Sequence, residues 1–273
     1  MVKSQSAFYS TCYLWAWKLV HPRPRLLRFI RIIRFSGRLG PWRNLIIKGL
    51  QRRKRNQPLE LSDSSIFTEL EIEQTVANIN QAGYSLGLQL PKEYTERILE
   101  YCGNSRAKMY SNPHLGCEAI KTIAHDPKVV EIAKGYLGIE PILYGTVIYR
   151  TSPDSRIKDS YRTTKKRFHY DVSDFKSLLL FIYLTDVDTD CGPHVVIENT
   201  HQHKSLAQLI NPSLSYETAN ERYGNRIKII TGQRGTGFFE DITTYHQHSI
   251  GRKMRLVLTI IYTLNRQPEL LAQ

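Results

Sequence analysis

The chain has 273 residues, and its 41% hydrophobic and 10% aromatic content is typical of a globular protein and excludes a disordered one. Its formal net charge of +13 is concentrated at one end, because residues 1–59 hold fourteen of the 38 Lys and Arg and none of the 25 Asp and Glu. The remainder carries 24 basic and 25 acidic residues, so its composition argues against nucleic-acid binding by the main part of the chain.

This distribution of charge divides the chain into a basic N-terminal arm, residues 1–59, and a main domain, residues 60–273. Within the arm, residues 26–35 mix Leu, Ile and Phe with arginines three positions apart, a spacing that leaves no continuous apolar face on a helix. Two interpretations of residues 1–55 remain open. They contact an anionic membrane surface peripherally, with snorkelling arginine side chains, or they form a basic extension that is packed on the domain or partly disordered.

The cysteines and the apolar segments indicate in which cellular compartment the protein is expected. Four cysteines lie far apart and include no C-x-x-C pair, which argues against a disulfide framework or a zinc knuckle and favours a reduced, intracellular setting. The apolar stretch at residues 7–20 is interrupted by Lys18 and falls short of the about 20 residues that a membrane-spanning helix needs. We therefore expect a cytoplasmic protein with, at most, peripheral membrane contact.

The first part of the main domain is predicted to be helical. Thr68 and Glu71 fit a capping box that opens a helix, and Asp126-Pro127 and Gly138 fit the start and end of another. In order, the predicted elements are a helix from 68 to about 81, an extended segment at 84–90, helices over 91–102, 117–124 and 126–138, and a strand over 142–149. Helices followed by strands are typical of a helical layer packed on a sheet.

His169-Tyr170-Asp171 is the first candidate functional motif. Side chains two positions apart on a strand project from the same face, so His169 and Asp171 can reach one point in space. An imidazole and a carboxylate are two of the three ligands in the two-His-one-carboxylate site that holds Fe(II) and leaves positions open. Alone, the pair is a weak signal, because a chain with nine histidines often contains such a motif by chance.

Strands and turns follow this motif. In order, the sequence predicts a buried strand over 177–184, a turn at 190–193, a strand over 194–197, two short helices within 204–226, and strands over 227–230 and 237–240.

A candidate third metal ligand, His246, and a cationic side chain, Arg255, lie near the C-terminus. His246 lies in an extended segment, and Arg255 begins a strand whose Arg255, Val257 and Thr259 share one face. We expect this strand to lie beside the segment that ends at His246, which brings the guanidinium close to a metal without ligating it. A fixed guanidinium suits the distal carboxylate of a dicarboxylic acid such as 2-oxoglutarate. His248 shares a strand face with His246, so the choice of third ligand between them stays open.

The order of these motifs resembles the phytanoyl-CoA dioxygenase family over residues 66–264. The matching residues are His169 and Asp171, then Asn199-Thr200-His201, then Asp241 and His246, then Arg255. The resemblance implies a mainly β fold with flanking helices, built on a double-stranded β-helix (jelly roll). His201 matches a position with a structural or substrate-side role and is left out of the ligand set.

The resemblance also implies an oxidoreductase. It would bind Fe(II) through His169, Asp171 and His246, bind 2-oxoglutarate as co-substrate through Arg255, and use O₂ to oxidise a C–H bond of a small-molecule or lipid-like substrate. Zinc accepts the same ligand types, but the anchor for a second substrate favours iron. Relatives that halogenate have a small residue in place of the carboxylate, so Asp171 favours hydroxylation or desaturation.

Two other functions remain open. One is a jelly-roll binding protein without catalytic activity. The complete set of three candidate metal ligands, together with Arg255, argues against it. The other is an interaction module whose basic arm binds a membrane or nucleic acid. Fe(II) binding tests the first, and removal of residues 1–55 tests the second, because an enzyme of the main domain is expected to keep its turnover without them.

Overall fold

A computed structural model describes residues 39–40, 42–53, 56–103, 107–151, 167–202, 204–248 and 251–265. The arginine-rich run lies outside these ranges, so membrane contact through the arm, the domain boundary at residue 59 and the cytoplasmic location stay predictions. No helix in the described ranges is long and apolar enough to cross a membrane. Three of the four cysteines fall within them, and Cys102, Cys117 and Cys191 are buried free thiols.

Helices surround a core of strands. The α-helices are α1 (Arg43–Arg53), α2 (Ile72–Ala82), α3 (Lys92–Cys102), α4 (Glu118–Ala124), α5 (Pro127–Leu137), α6 (Leu206–Ile210) and α7 (Tyr216–Tyr223). The strands are β1 (Tyr84–Gln89), β2 (Met109–Ser111), β3 (Ile142–Thr151), β4 (Phe168–His169), β5 (Ser177–Tyr183), β6 (His194–Ile197), β7 (Ser213–Leu214), β8 (Ile227–Ile230), β9 (Thr236–Glu240), β10 (Tyr245–His248) and β11 (Arg255–Thr263).

The strands form two antiparallel sheets that pack face to face. The six-stranded sheet has the order β1-β9-β5-β11-β3-β2, and the five-stranded sheet has the order β7-β4-β10-β6-β8. Neighbouring strands in each sheet come from distant parts of the chain, which is the arrangement of a jelly roll. The predicted fold class, mainly β with flanking helices around a jelly-roll core, is confirmed.

Apolar side chains fill three layers. One lies between the helices and the six-stranded sheet, one between the two sheets, and one on the outer face of the five-stranded sheet under α6 and α7. Strand β5 borders the first two: Leu178, Leu180 and Ile182 face the helices, while Phe181 and Tyr183 face the other sheet. Both faces of β5 are covered, which explains why its sequence is a continuous apolar run and not an alternating one.

Most predicted helix boundaries are confirmed. Asp126 caps α5, where its side chain accepts hydrogen bonds from the backbone N–H groups of Lys128 (2.9 Å) and Val129 (3.2 Å). Gly138 ends the helix with a φ of +77°, in the left-handed region that favours glycine.

The capping box predicted at Thr68 and Glu71 is wrong. Helix α2 begins at Ile72, and the side chain of its N-cap residue Glu71 makes no capping hydrogen bond. Thr68 lies in a turn between Phe67 and Leu70, whose side chains are both buried against the helices. The burial of two large apolar groups beside this turn outweighs the local preference for a cap, because each contributes about 1.5–3 kcal/mol.

Helix α1 of the basic arm packs on the main domain. Ile47 is buried in the helical layer, and the side chain of Gln51 donates to the carbonyl of Leu137 (2.6 Å). Arg43 is buried and donates to the carbonyls of Phe175 and His201, both at 2.8 Å. Removing residues 1–55 would therefore remove these contacts, whereas a truncation that keeps the chain from Leu39 onward preserves them.

We expect Arg43→Ala to lower the free energy of unfolding by about 3 kcal/mol, because it leaves the buried Asp241 carboxylate (3.5 Å away) without its cation. Lys48→Ala changes an exposed residue of the same helix and should shift stability by less than about 0.5 kcal/mol. Urea denaturation of both variants measures the difference. Equal midpoints for the two variants would show that α1 is not fixed through Arg43.

Candidate metal centre

His169, Asp171 and His246 converge on one point, and one ligand atom from each lies within 4.8 Å of the others. The convergence follows from strand pairing, because His169 on β4 is directly opposite His246 on β10 and the ring centroids are 4.7 Å apart. Asp171 lies just beyond β4, where its backbone N–H donates to the carbonyl of Ile242 (2.9 Å) in the turn before β10. The His246 Nε2 atom is 3.5 Å from Asp171 Oδ2.

The rings of both histidines are oriented in the same way, each through its Nδ1 atom and a nearby backbone carbonyl oxygen. The Nδ1 atom of His169 lies 3.1 Å from the carbonyl oxygen of Arg167, and that of His246 lies 3.1 Å from the carbonyl oxygen of Thr244. A ring whose Nδ1–H donates to its own backbone presents Nε2 as the metal-binding atom. The donor set, two imidazole nitrogens and a carboxylate oxygen, fits Fe(II) with open coordination positions.

The electrostatics of the cluster suit a cation. Burial raises the pKa of Asp171, but the hydrogen bond from His246 and the nearby His169 outweigh it and hold the pKa at about 2. Burial lowers the pKa of His246, but Glu240 and Asp171 outweigh it and raise the pKa to about 10. The carboxylate is therefore ionised at neutral pH, and a metal ion that binds His246 displaces a proton.

His248 lies on the same strand face but outside this cluster. Its ring centroid is 6.3 Å from that of His169 and 4.9 Å from that of His194, and it meets Tyr149 edge-on at 5.8 Å. Among the described residues, the group that could hold a metal contains His246 and not His248. The geometry favours His246 as the third ligand.

The expected position of Arg255 is wrong in one respect. Strand β11 does not lie beside β10: it pairs with β3 and β5 in the six-stranded sheet, whereas β10 pairs with β4 and β6 in the other sheet. The physical reason is the apolar face of β11, on which Leu256, Leu258 and Ile260 need the helical layer. Among the described residues, the strand side chains buried in that layer belong to the six-stranded sheet.

Arg255 faces the space between the sheets from the side opposite the metal ligands. Its side chain is fully buried, and Nη1 donates to the carbonyl of Gly192. Nε and Nη2 are buried without a hydrogen-bond partner in the described part of the chain. Its charge contributes, after burial and the neighbouring histidines, to lowering the pKa of His248. A buried guanidinium with two unused donors fits a carboxylate ligand.

Residues 241–244 form the turn that leads to His246, and a buried network fixes it. Asp241 accepts hydrogen bonds from the hydroxyl groups of Thr243 (2.6 Å) and Tyr136. Thr200 accepts from the backbone N–H of Tyr245 (2.9 Å), and the carbonyl of His201 accepts from Thr243 (3.2 Å). The Asn-Thr-His motif therefore braces this turn, which agrees with leaving His201 out of the ligands.

The sequence interpretation missed Glu240 and His194. Both are fully buried between the sheets, and Glu240 Oε2 lies 2.6 Å from His194 Nε2. The sequence does contain an indication of Glu240, because this residue shares a strand face with the apolar Phe238 and interrupts an otherwise apolar pattern.

Neither a protein-family model nor a curated protein sequence matches the chain. Solved structures do resemble it. The epimerase SnoN in complex with Fe³⁺, alpha ketoglutarate and nogalamycin RO aligns with a TM-score of 0.53 and 15% identity, over 74% of this chain and 92% of that one. EctD from S. alaskensis with 2-oxoglutarate and 5-hydroxyectoine gives 0.53 and 15%, over 81% and 90%. AviO1 from Streptomyces viridochromogenes Tue57 gives 0.50 and 11%, over 74% and 97%.

At these identities the likeness shows the fold. The phytanoyl-CoA dioxygenase family is not confirmed, and the assignment of site residues stays a prediction that the geometry supports.

We expect His246→Phe to weaken Fe(II) binding by more than about 100-fold, beyond the 10–100-fold typical of outer-shell changes, whereas His248→Phe changes the affinity by less than that. Anaerobic calorimetry with Fe(II) alone measures both, and circular dichroism checks that each variant folds. The reverse order of the two affinities would assign the third ligand to His248.

A second prediction concerns Lys204, which donates to the carbonyls of Thr200 and Thr243 (2.7 Å) and lies over the rings of Tyr170 (4.7 Å) and Tyr245 (4.8 Å). Burial lowers its pKa from 10.5 to about 7. Between these values the unfolded chain binds more protons than the folded one, so this residue makes stability rise with pH from about 7 to about 10.

Lys204→Met should reduce that slope, by up to about 1.4 kcal/mol per pH unit. The substitution should not abolish the dependence of stability on pH, because burial also lowers the pKa of Lys176, to about 8. Urea unfolding at several pH values between 7 and 10 measures the slope, and Lys228→Met, at an exposed site, should leave it unchanged. Equal slopes for all three proteins would contradict a deprotonated Lys204.

Proposed function

We propose that this protein is an Fe(II)- and 2-oxoglutarate-dependent oxygenase that oxidises a C–H bond of a small-molecule or lipid-like substrate. One observation carries the proposal: a two-His-one-carboxylate cluster and a buried arginine with unused donors face the same interior between two jelly-roll sheets. A cluster of metal-binding residues alone is compatible with many functions, and a buried guanidinium alone can bind several kinds of anion. Together they fit a metal whose co-substrate is a dicarboxylic acid.

Each residue has a defined role in this proposal. His169, Asp171 and His246 would hold Fe(II) on one side and leave the other side open. Arg255 would pair through Nε and Nη2 with the distal carboxylate of 2-oxoglutarate, since these are adjacent donors of one planar group. When bound, Fe(II) and 2-oxoglutarate would supply the oxidising chemistry, with O₂ consumed and succinate and CO₂ released.

The interior also favours this chemistry by excluding water. Phe181, Phe238 and Val257 line the space between the sheets, and all three are buried. Apolar walls around a charged centre strengthen its electrostatic interactions and keep a reactive oxidant away from solvent. His248, which is half-buried beside Tyr149 and whose buried Nδ1 has no hydrogen-bond partner among the described residues, offers a further donor to the co-substrate.

Hydroxylation is the outcome that we favour. EctD, to which the chain is similar, was crystallised with 2-oxoglutarate and 5-hydroxyectoine, and Asp171 retains the carboxylate ligand. SnoN, to which the chain is also similar, is an epimerase, which supports epimerisation as the alternative outcome. The product formed from an identified substrate distinguishes the two.

The decisive experiment measures succinate formed from 2-oxoglutarate with Fe(II) and O₂ in the absence of added substrate. We expect slow turnover that His169→Ala abolishes. Arg255→Ala should raise the KM for 2-oxoglutarate about 10- to 100-fold, because hydrogen bonds to charged groups contribute about 1.5–3 kcal/mol. Arg255→Lys, which keeps the charge but not the paired donors, should have an intermediate KM.

Arg234→Ala is the matched control, since Arg234 is exposed and its hydrogen bonds to described residues are made by the backbone: its N–H donates to Asp186 (2.7 Å) and its carbonyl accepts from Gln89 (3.1 Å). Its KM should equal that of the wild type. Absence of succinate, together with absence of an absorption band from Fe(II) and 2-oxoglutarate under anaerobic conditions, would refute the proposed function.

A further inference from the structure

The carboxylate of Glu240 lies between two histidines in the interior of the sandwich. Its Oε2 atom is 2.6 Å from His194 Nε2, and its Oε1 atom is 3.3 Å from His246 Nδ1. The three residues come from β9, β6 and β10, so they connect both sheets. Each is at most 3% exposed.

Apart from these two histidines, the side chains packed around Glu240 are aromatic. On the same face of β9, Phe238 stacks on Phe181 with ring centroids 5.0 Å apart. The His194 ring lies 5.0 Å from Phe181 and 5.2 Å from Phe238. A buried carboxylate among aromatic rings is costly, and an apolar pair of similar volume is often equally stable or more stable. A role other than stability therefore accounts for this pair.

We propose that Glu240, held in place by His194, is a positioning residue that orients His246 for metal binding. This inference rests on the proposed function, because it takes His246 as a metal ligand. The His246 Nδ1–H group donates to the carbonyl of Thr244 at 3.1 Å, and Glu240 Oε1, which has no hydrogen bond among the described residues, lies 3.3 Å from the same nitrogen as an ionic contact. Together they fix the ring so that Nε2 faces Asp171.

His194 determines where the carboxylate can be. Its Nε2 is the hydrogen-bond donor to Glu240 Oε2, and β6 pairs with β10, which places Val196 opposite His246 and His194 opposite His248. The carboxylate is thus attached to the strand next to the ligand strand. A carboxylate that accepts from a ligand histidine also strengthens the imidazole as a metal donor, and loss of such a partner typically weakens metal binding 10- to 100-fold.

The test replaces both polar residues at once, in the double variant Glu240→Met/His194→Phe, so that neither is left buried without its partner. Anaerobic calorimetry with Fe(II) alone should show an affinity about 10- to 100-fold lower than that of the wild type. The unfolding midpoint of the metal-free protein should be unchanged or higher. A residue that only supports the fold would give the opposite pattern, with a lower midpoint and little change in affinity for the metal.

Glu240→Gln is the second variant, because it keeps the volume and a carbonyl acceptor but removes the charge. Its loss of Fe(II) affinity should be smaller than that of the double variant. Glu198→Gln is the control, since Glu198 accepts a hydrogen bond from Tyr84 (3.0 Å) and its ion-pair partner is Lys228, so it should bind Fe(II) as the wild type does.

The outcomes separate this inference from the proposed function. If the wild type binds Fe(II) and both Glu240 variants bind it equally well, the positioning role is refuted and the proposed function stands. If the double variant is less stable without metal but binds Fe(II) nearly as tightly as the wild type, Glu240 is structural and the positioning role is again refuted. If the wild type itself binds no Fe(II), the proposed function fails, and this inference fails with it.

Discussion

The register between β4 and β10 is the constraint on which the site depends. His169 lies opposite His246, and the backbone N–H of Asp171 is bonded to the turn before β10. Side chains alternate between the faces of a strand, so a slip of one residue would turn one histidine away from the other and bury it in the outer layer with Phe168 and Tyr245. Those two aromatic residues face outward from the same strands and hold the register through their own burial.

The two sheets supply different halves of the site. The six-stranded sheet carries Arg255 and Glu240, and the five-stranded sheet carries His169, His246 and His248. The spacing between the sheets, set by Phe181, Phe238 and Val196, therefore determines how far the guanidinium and the carboxylate lie from the ligands. The inner apolar layer acts as a spacer between the two sets of polar groups, in addition to contributing to stability.

Local patterns in the sequence were enough to predict most of the elements and the three residues that converge in the candidate metal centre. The H-x-D motif, the apolar run of β5 and the caps of α5 each depend on neighbours within a few residues. The partner sheet of β11 was not predictable in this way, because alternation shows which residues share a face but not which sheet the strand joins. Arg43 was missed for a related reason: its partners, Asp241 and the carbonyl of His201, are more than 150 residues away in sequence.

The consecutive carboxylates Glu240 and Asp241 explain how so much buried charge is arranged around one turn. Adjacent residues at the end of a strand point in opposite directions, so Glu240 faces inward to His194 and His246, while Asp241 faces outward to Arg43 and Tyr136. Each carboxylate has its own cationic or hydrogen-bonding partners, and the pKa of each is held below its usual range against the effect of burial. The turn that leads to His246 is thereby held from both sides.

A turn held only by apolar contacts could shift by part of an ångström at small cost in free energy. Paired buried charges resist displacement, because moving one partner leaves the other uncompensated. In this way buried paired charges hold His246, the proposed third metal ligand, in a fixed position.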